Sequence, residues 1–264
     1  MSDSTLKAAA EAAFLNRGDR AVVFEHEGQR YVAKRLAEKP RKLIQTLFMR
    51  WLVKRITGQP LPMQTLALSE AAHSMDFEAQ RLKGLAEAGI RVPHVALLTA
   101  DFFVLDYCGT VVATLLENWN QETWRVELHR LASELGEFHR AGHWHGGAQI
   151  KNITLQNGLS YRIDFEENFG QFLPLTVTQA ADLMLFLNSI SLAGPIDESE
   201  ARQLLPQLID RYFTAHPNDE IKRVIQRTVP LMRGVSRFTR LFSRWSKKGI
   251  RRIQIMVDIL SQVK

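Results

Sequence analysis

The chain has 264 residues, 45% of them hydrophobic and 23% charged, enough to bury a sizeable core as one large domain or as two lobes. Its single cysteine, Cys108, excludes an intramolecular disulfide framework and fits a reducing compartment. No charged start with an apolar stretch behind it suggests a signal peptide, and no apolar run approaches the roughly 18–20 residues of a spanning helix, so a cytoplasmic protein is expected.

The net charge of +6 is unevenly placed. Lys39 to Ser69 holds six cationic residues (Lys39, Arg41, Lys42, Arg50, Lys54 and Arg55) and no acid. Arg233 to Arg252 holds eight more (Arg233, Arg237, Arg240, Arg244, Lys247, Lys248, Arg251 and Arg252), again with no acid. The two segments carry +14, leaving about −8 for the remainder. Such asymmetry fits an anionic partner, a membrane surface or a phosphorylated polymer; two solvated helix faces would give the same pattern.

In chain order, residues 1–15 are Ala-rich and read as a short helix or a first strand. RAVVFEHEG and QRYVAKRL are β-prone runs joined at His26-Glu27-Gly28-Gln29, which predicts a hairpin. Lys34 ends the second run, where it is either a positioned cation for phosphate or a solubilising edge residue. KLIQTLFMRWLVKRITG, 42–58, places Ile44, Leu47, Phe48, Trp51 and Leu52 on one face. It predicts a basic amphipathic helix, suited to a membrane interface or to packing on a small lobe, and QPLPM after it reads as a linker. A helix follows from Phe77, with Glu78 at its start and a stop at Gly89. Phe102 to Tyr107 reads as a buried strand, Gln121 to Ala141 and Gln179 to Ile190 as helices, and most of the remainder as further helix.

The densest chemistry lies between His139 and Glu167. HGGAQIKN, His145 to Asn152, is followed by an NGLS turn (Asn157 to Ser160) and by Ile163-Asp164-Phe165-Glu166. Asp164 is suited to hold a hard cation such as Mg²⁺, and Asn152 offers a neutral oxygen.

Kinases read H-x-D-x-x-x-x-N, then a hairpin and D-F-G. This segment resembles that signature, and LASELGEFHRAGHWHGG before it resembles the lipopolysaccharide-core/Kdo kinase and Bud32 group of the protein-kinase-like superfamily. The resemblance spans roughly residues 16–190. It implies a two-lobed α+β fold, with a small, mainly β N-lobe over 1–108, interrupted by the basic insertion at about 38–63, and a helical C-lobe over 109–264.

It further implies ATP and Mg²⁺ as cofactors, with Lys34 and Glu78 paired at the nucleotide, Asp106 and Tyr107 at the adenine hinge, and Asn152 and Asp164 on metal. Asp182 would brace the loop and His145 would be structural; first-turn acids are the plain alternative for both Glu78 and Asp182. Two departures stand out: the usual catalytic Asp falls on Gly147, and no G-x-G-x-x-G precedes Arg20, only the turn-like Asn16-Arg17-Gly18-Asp19. Gln149 could orient an acceptor, and Glu166 or Glu167 could bind metal, act as a base, or be solvated.

The expected activity is an atypical ATP- and Mg²⁺-dependent phosphotransferase on a membrane-associated sugar or lipid at the inner face of the plasma membrane. The alternative is a pseudokinase that binds nucleotide or an anionic partner without transfer. Nucleic acid is not an expected partner, since no aromatic stacking platform is evident.

Overall fold

The computed structural model describes residues 3–17, 19–35, 54–55, 71–241 and 247–263. The Ala-rich start is a helix, α1 (Asp3–Arg17). Leu6, Ala10 and Phe14, four residues apart and so on one face, bury that face against a sheet. Asn16 and Arg17 therefore close a helix rather than open a phosphate-binding turn, and Gly18 lies outside the described residues.

The sheet has β1 (Ala21–His26), β2 (Gln29–Arg35), β3 (Val95–Leu98) and β4 (Phe102–Asp106) in the order β1-β2-β4-β3, all antiparallel. Glu27 and Gly28 both take positive φ, 51° and 75°, the backbone that a two-residue hairpin turn requires. Side-chain alternation then divides the sheet. Tyr31, Ala33, Phe102 and Val104 pack with α1 in a small core, whereas Phe103 and Leu105 belong to the large one, as does the flanking Val32. Lys34, two residues after Val32, shares that inward face.

The helix containing Glu78 is α2 (Ala71–Glu87). It begins six residues before the expected start, so Glu78 is not a first-turn acid but an internal residue. Leu82 and Leu85 continue its face into the large core. A second sheet, β5 (Thr110–Val111), β6 (Ile153–Gln156) and β7 (Leu159–Arg162), runs in that order, and β6 and β7 turn at Asn157-Gly158, both at positive φ. This is the hairpin expected at NGLS.

Helices build the larger lobe: α3 (Val112–Leu116), α4 (Gln121–Arg140), α5 (Leu175–Ile190), α6 (Glu198–Ala215), α7 (Asp219–Leu241) and α8 (Lys247–Leu260). Asn120 caps α4 by accepting from the Thr123 N–H, and Asp197 and Glu200 form a capping box on α6. Trp124, Leu128, Leu131, Leu135 and Phe138 make the buried stripe of α4. The expected arrangement, a small antiparallel lobe and a larger helical lobe, is the one observed. No helix among the described residues is long and apolar enough to cross a membrane.

The two basic segments fare differently. The amphipathic helix expected over 42–58 lies outside the described residues, apart from Lys54 and Arg55, which are helical and exposed. In the C-terminal segment, Arg251 pairs with Glu198 at 2.8 Å. Arg252 donates to the carbonyls of Ser191 and Leu192 at 2.6 and 3.3 Å. These two arginines join α8 to the lobe, so the segment is not simply a cationic surface.

Helices α4 and α6 come close at Gly136, where a Cβ would meet the Tyr212 carbonyl oxygen at 2.7 Å and the Ala215 Cβ at 2.8 Å. Gly136→Ala is expected to cost about 1–3 kcal/mol by overpacking, read as a lowered urea midpoint with unchanged slope; an unaltered midpoint would contradict this packing.

Candidate active site

Three segments converge on one ammonium group. Lys34 Nζ donates to both oxygens of Glu78, at 3.0 and 2.9 Å, and to Asp164 Oδ1 at 2.5 Å. Glu166 Oε2 stands 3.8 Å from the same nitrogen and takes a 2.5 Å bond from Arg20. Glu78 also accepts from the Phe165 N–H at 3.2 Å. Lys34 is 9% exposed and Glu78 only 2%, so this is a buried charge cluster whose members must be paired to be tolerated.

Burial works against the Lys34 ammonium, but Glu78 and Asp164 outweigh it and hold its pKa above the ordinary lysine value. Burial also opposes ionisation of Asp164, and there Lys34 prevails, with Arg20 assisting, so its pKa is lowered. For Glu78 burial dominates despite Lys34, and its pKa is raised. Asp164 adopts φ 68°, a left-handed backbone that an Asp tolerates and that clusters at functional sites.

The loop before β6 is held from beneath. Asp182, in the middle of α5 and fully buried, accepts from the N–H groups of His145 at 2.5 Å and Gly146 at 2.8 Å. The bracing role expected of Asp182 is thus its geometry, and the first-turn alternative fails because α5 begins at Leu175. Gly146 has φ 89°, and a Cβ there would lie 2.8 Å from that of Glu167. His145 stacks on Phe165 at 4.3 Å and accepts from the Gly147 N–H at 3.1 Å. Burial drives its pKa down to about 4, which keeps the ring neutral and structural near pH 7.

Asn152, 7% exposed, donates to the Gly147 carbonyl at 2.9 Å, which among the described residues leaves its amide oxygen for a ligand. Gln149, half-buried, caps the short 3₁₀ turn Ile150–Asn152 through its backbone. Gly147 does not have positive φ, and a Cβ built there would be 3.3 Å from Asn152 Nδ2. Position 147 therefore has a backbone open to L side chains, with one close neighbour.

At the expected hinge, the Asp106 N–H donates to His94 O at 3.0 Å and the Tyr107 N–H to Arg30 O at 3.1 Å, while the Tyr107 ring lies 3.8 Å under the Arg30 guanidinium. Both amides are engaged within the protein, so a purine edge at this strand would have to use other backbone groups. The oxygens of Glu78, Asp164 and Glu166 lie within 4.8 Å of one another. That is an all-oxygen donor set of the kind Mg²⁺ takes, with Lys34 now supplying the counter-charge at its centre.

Two further contributors were not expected from sequence. Arg20 ties Glu166 to the start of β1. Arg81, three residues after Glu78 and so on the same helix face, donates to the carbonyls of Trp144, His145 (3.2 Å) and Glu167 (3.1 Å). Its guanidinium stacks 3.5 Å over Trp144 and 4.9 Å from Phe165. One α2 side chain thus clamps the loop before β6 to the segment after Asp164.

Arg81→Ala is expected to cost about 1–3 kcal/mol, as partly buried carbonyls lose a charged donor. Arg81→Lys should recover little, because an ammonium cannot span three carbonyls in the guanidinium plane. Amide exchange over 144–147 and 165–168 should accelerate in Arg81→Ala; exchange as slow as in the parent would rule out the clamp.

No family model matches the chain, and no curated protein does. Among solved structures, the chain is similar to WaaP in complex with acyl carrier protein, at 15% identity and TM-score 0.44 over 89% of this chain and 92% of that one. It is similar to APH(2″)-IIa in its gentamicin complex, at 11% identity and TM-score 0.38 over 92% and 91% of the two chains. It is also similar to the MAP kinase LmaMPK10 from Leishmania major, at 12% identity and TM-score 0.38 over 96% and 82%.

Proposed function

We propose that the protein is an atypical kinase-like phosphotransferase using ATP and Mg²⁺. The observation that carries this reading is Lys34 bonded to Glu78 and Asp164 together, three residues from three distant parts of the chain. Phosphoryl transfer asks little covalent chemistry of a protein; it asks for positioned cations and an oriented acceptor.

Lys34, fixed by Glu78, is a positioned donor for phosphate oxygens. Asp164 and Asn152 would hold Mg²⁺, with Glu166 as a further oxygen. The bound ion would neutralise charge on the phosphates. Gln149 would orient an acceptor hydroxyl. The buried, neutral His145 is spoken for by the Gly147 N–H and is not a base.

A second reading, a pseudokinase that binds nucleotide or an anionic partner without transfer, is favoured by two specific features. Gly147 offers no side chain to receive a proton, and Lys34 sits directly on the carboxylate that Mg²⁺ would need. Glu166 is a poor substitute base because Arg20 holds it.

For the acceptor we favour an anionic sugar or lipid at a membrane. The support is the acid-free basic sequence over 39–69 together with the part of 233–252 that Arg251 and Arg252 do not commit to the lobe.

Two experiments test these readings. With γ-labelled ATP and a membrane extract, Mg²⁺-dependent labelling is expected, and Asp164→Ala should abolish it; turnover unchanged in that variant sinks the assignment. Gly147→Asp should raise turnover by about 10² or more if a base is the missing part, whereas no labelling by either protein supports the pseudokinase. Separately, the protein should co-sediment with anionic vesicles at low salt and come off at about 1 M salt, where the screening length falls to about 3 Å. Failure to sediment at low salt removes the membrane proposal.

A further inference from the structure

Ser160 and Arg162, two residues apart on β7, face the same way. Together with Glu134, Glu137 and Phe138 of α4 and Arg91 of the α2–β3 connection they line a cavity of about 160 Å³. None of these residues belongs to the Lys34 cluster. The walls are fixed: the Arg162 N–H donates to Arg91 O at 3.1 Å, and Arg91 Nε donates back to Ser160 O at 2.9 Å.

The carboxylate in this wall is already satisfied. Glu134 accepts from the Ser160 hydroxyl and from Arg130 at 2.5 Å, and Arg91 stands 3.5 Å from it. Glu137 is exposed at the rim, where water screens it. Arg162 is different. It is 6% exposed, its guanidinium lies 4.9 Å over the Phe138 ring, and its Nη1 is enclosed with no hydrogen-bond partner among the described residues. Burial lowers its pKa only to about 10, so it enters the cavity charged near pH 7.

An enclosed, charged donor without an acceptor is costly and demands an explanation. At roughly 30 Å³ per water, the cavity has room for several waters or one small ion. Guanidinium groups are suited to planar or tetrahedral oxyanions; an ion in the cavity would pair the charge of Arg162, whereas Nη1 itself is closed off from it even to water. We propose that this cavity binds a small oxyanion of the phosphate class on Arg162, with Arg91 as the rim cation. The site lies two residues before Asp164 along the chain, so its occupant would touch β7, which leads to Asp164, and the connection that follows the helix of Glu78. The proposal does not depend on phosphoryl transfer.

The test is titration with inorganic phosphate, against potassium chloride of matched ionic strength, followed by thermal shift and calorimetry on the full chain. Lys34→Met removes the principal phosphate donor of the active site. Phosphate should bind the parent and Lys34→Met alike, with affinity lowered roughly tenfold or more in Arg162→Met and less in Arg91→Met. Glycerol 1-phosphate in a second arm separates a free ion, if only phosphate binds, from the phosphate group of a larger molecule, if the ester binds as well. If Arg162→Met does not fold, crystals of the parent soaked in selenate decide the matter: an anomalous peak within hydrogen-bond reach of Arg162 is expected. Phosphate that binds Arg162→Met unchanged, a response lost in Lys34→Met instead, selenate found only elsewhere, or no phosphate response at all (a cavity of water only) would overturn the proposal.

Discussion

Everything around the candidate site depends on one buried ammonium being shared by carboxylates from separate elements. A lysine at 9% exposure is tolerable only with partners, and Lys34 finds them on α2 and at the exit of β7. That requirement fixes three registers together. The alternation of β2 must turn Lys34 inward beside Val32, α2 must present Glu78 with Leu82 and Leu85, and the chain after β7 must bring Asp164 into a left-handed backbone. Glu78, bonded to the ammonium through both oxygens, is the partner it can least lose, so the cluster specifies the meeting of the two lobes as well as a binding site.

The loop carrying Gly147 is secured independently of that position's side chain. Its amides are taken by Asp182, its carbonyls by Arg81 and Asn152, and its ring by the stack of His145 on Phe165. Nothing in this scaffold needs an aspartate at 147 to hold its shape. A glycine at 147 is therefore compatible with an intact fold, and an intact fold is no argument that a carboxylate's chemistry is supplied elsewhere.

Much of this was legible in the sequence, and the illegible part has a common cause. Lys34, Glu78, Asn152, Asp164 and Asp182 could be named because the segments that carry them resemble kinase motifs. Glu78 was still placed at a helix start, because between Ala71 and Asp76 only Met75 is a large apolar residue, too little to carry the period backwards; α2 in fact begins at Ala71. Arg81 and Arg20 were missed. An arginine on an amphipathic helix looks like a solvated residue, and the partners of Arg81 are backbone carbonyls, which leave no trace in residue types. The same blindness made Arg251 and Arg252 part of a cationic surface, when one neutralises Glu198 and the other holds the carbonyls after α5. Charge runs report composition; only the packing says which charges are already used.

The balance between an active and an inactive reading then turns on Lys34 more than on Gly147. A positioned base is worth about 10² to 10⁴ in rate, or about 3–5 kcal/mol of barrier, while enzymatic accelerations reach far beyond that through positioning and electrostatic stabilisation. A site with its cations in place and no base is slow but not inert. A site whose lysine stays on Asp164 loses more, because the same carboxylate cannot serve both the ammonium and a divalent ion at full strength. Glu78 supplies the means of exchange: with both its oxygens already on Lys34 Nζ, it can keep the ammonium paired while Asp164 is released to a metal. The bidentate hold by Glu78, rather than the short contact to Asp164, is thus the feature that would let Asp164 turn to a metal without unpairing a buried charge.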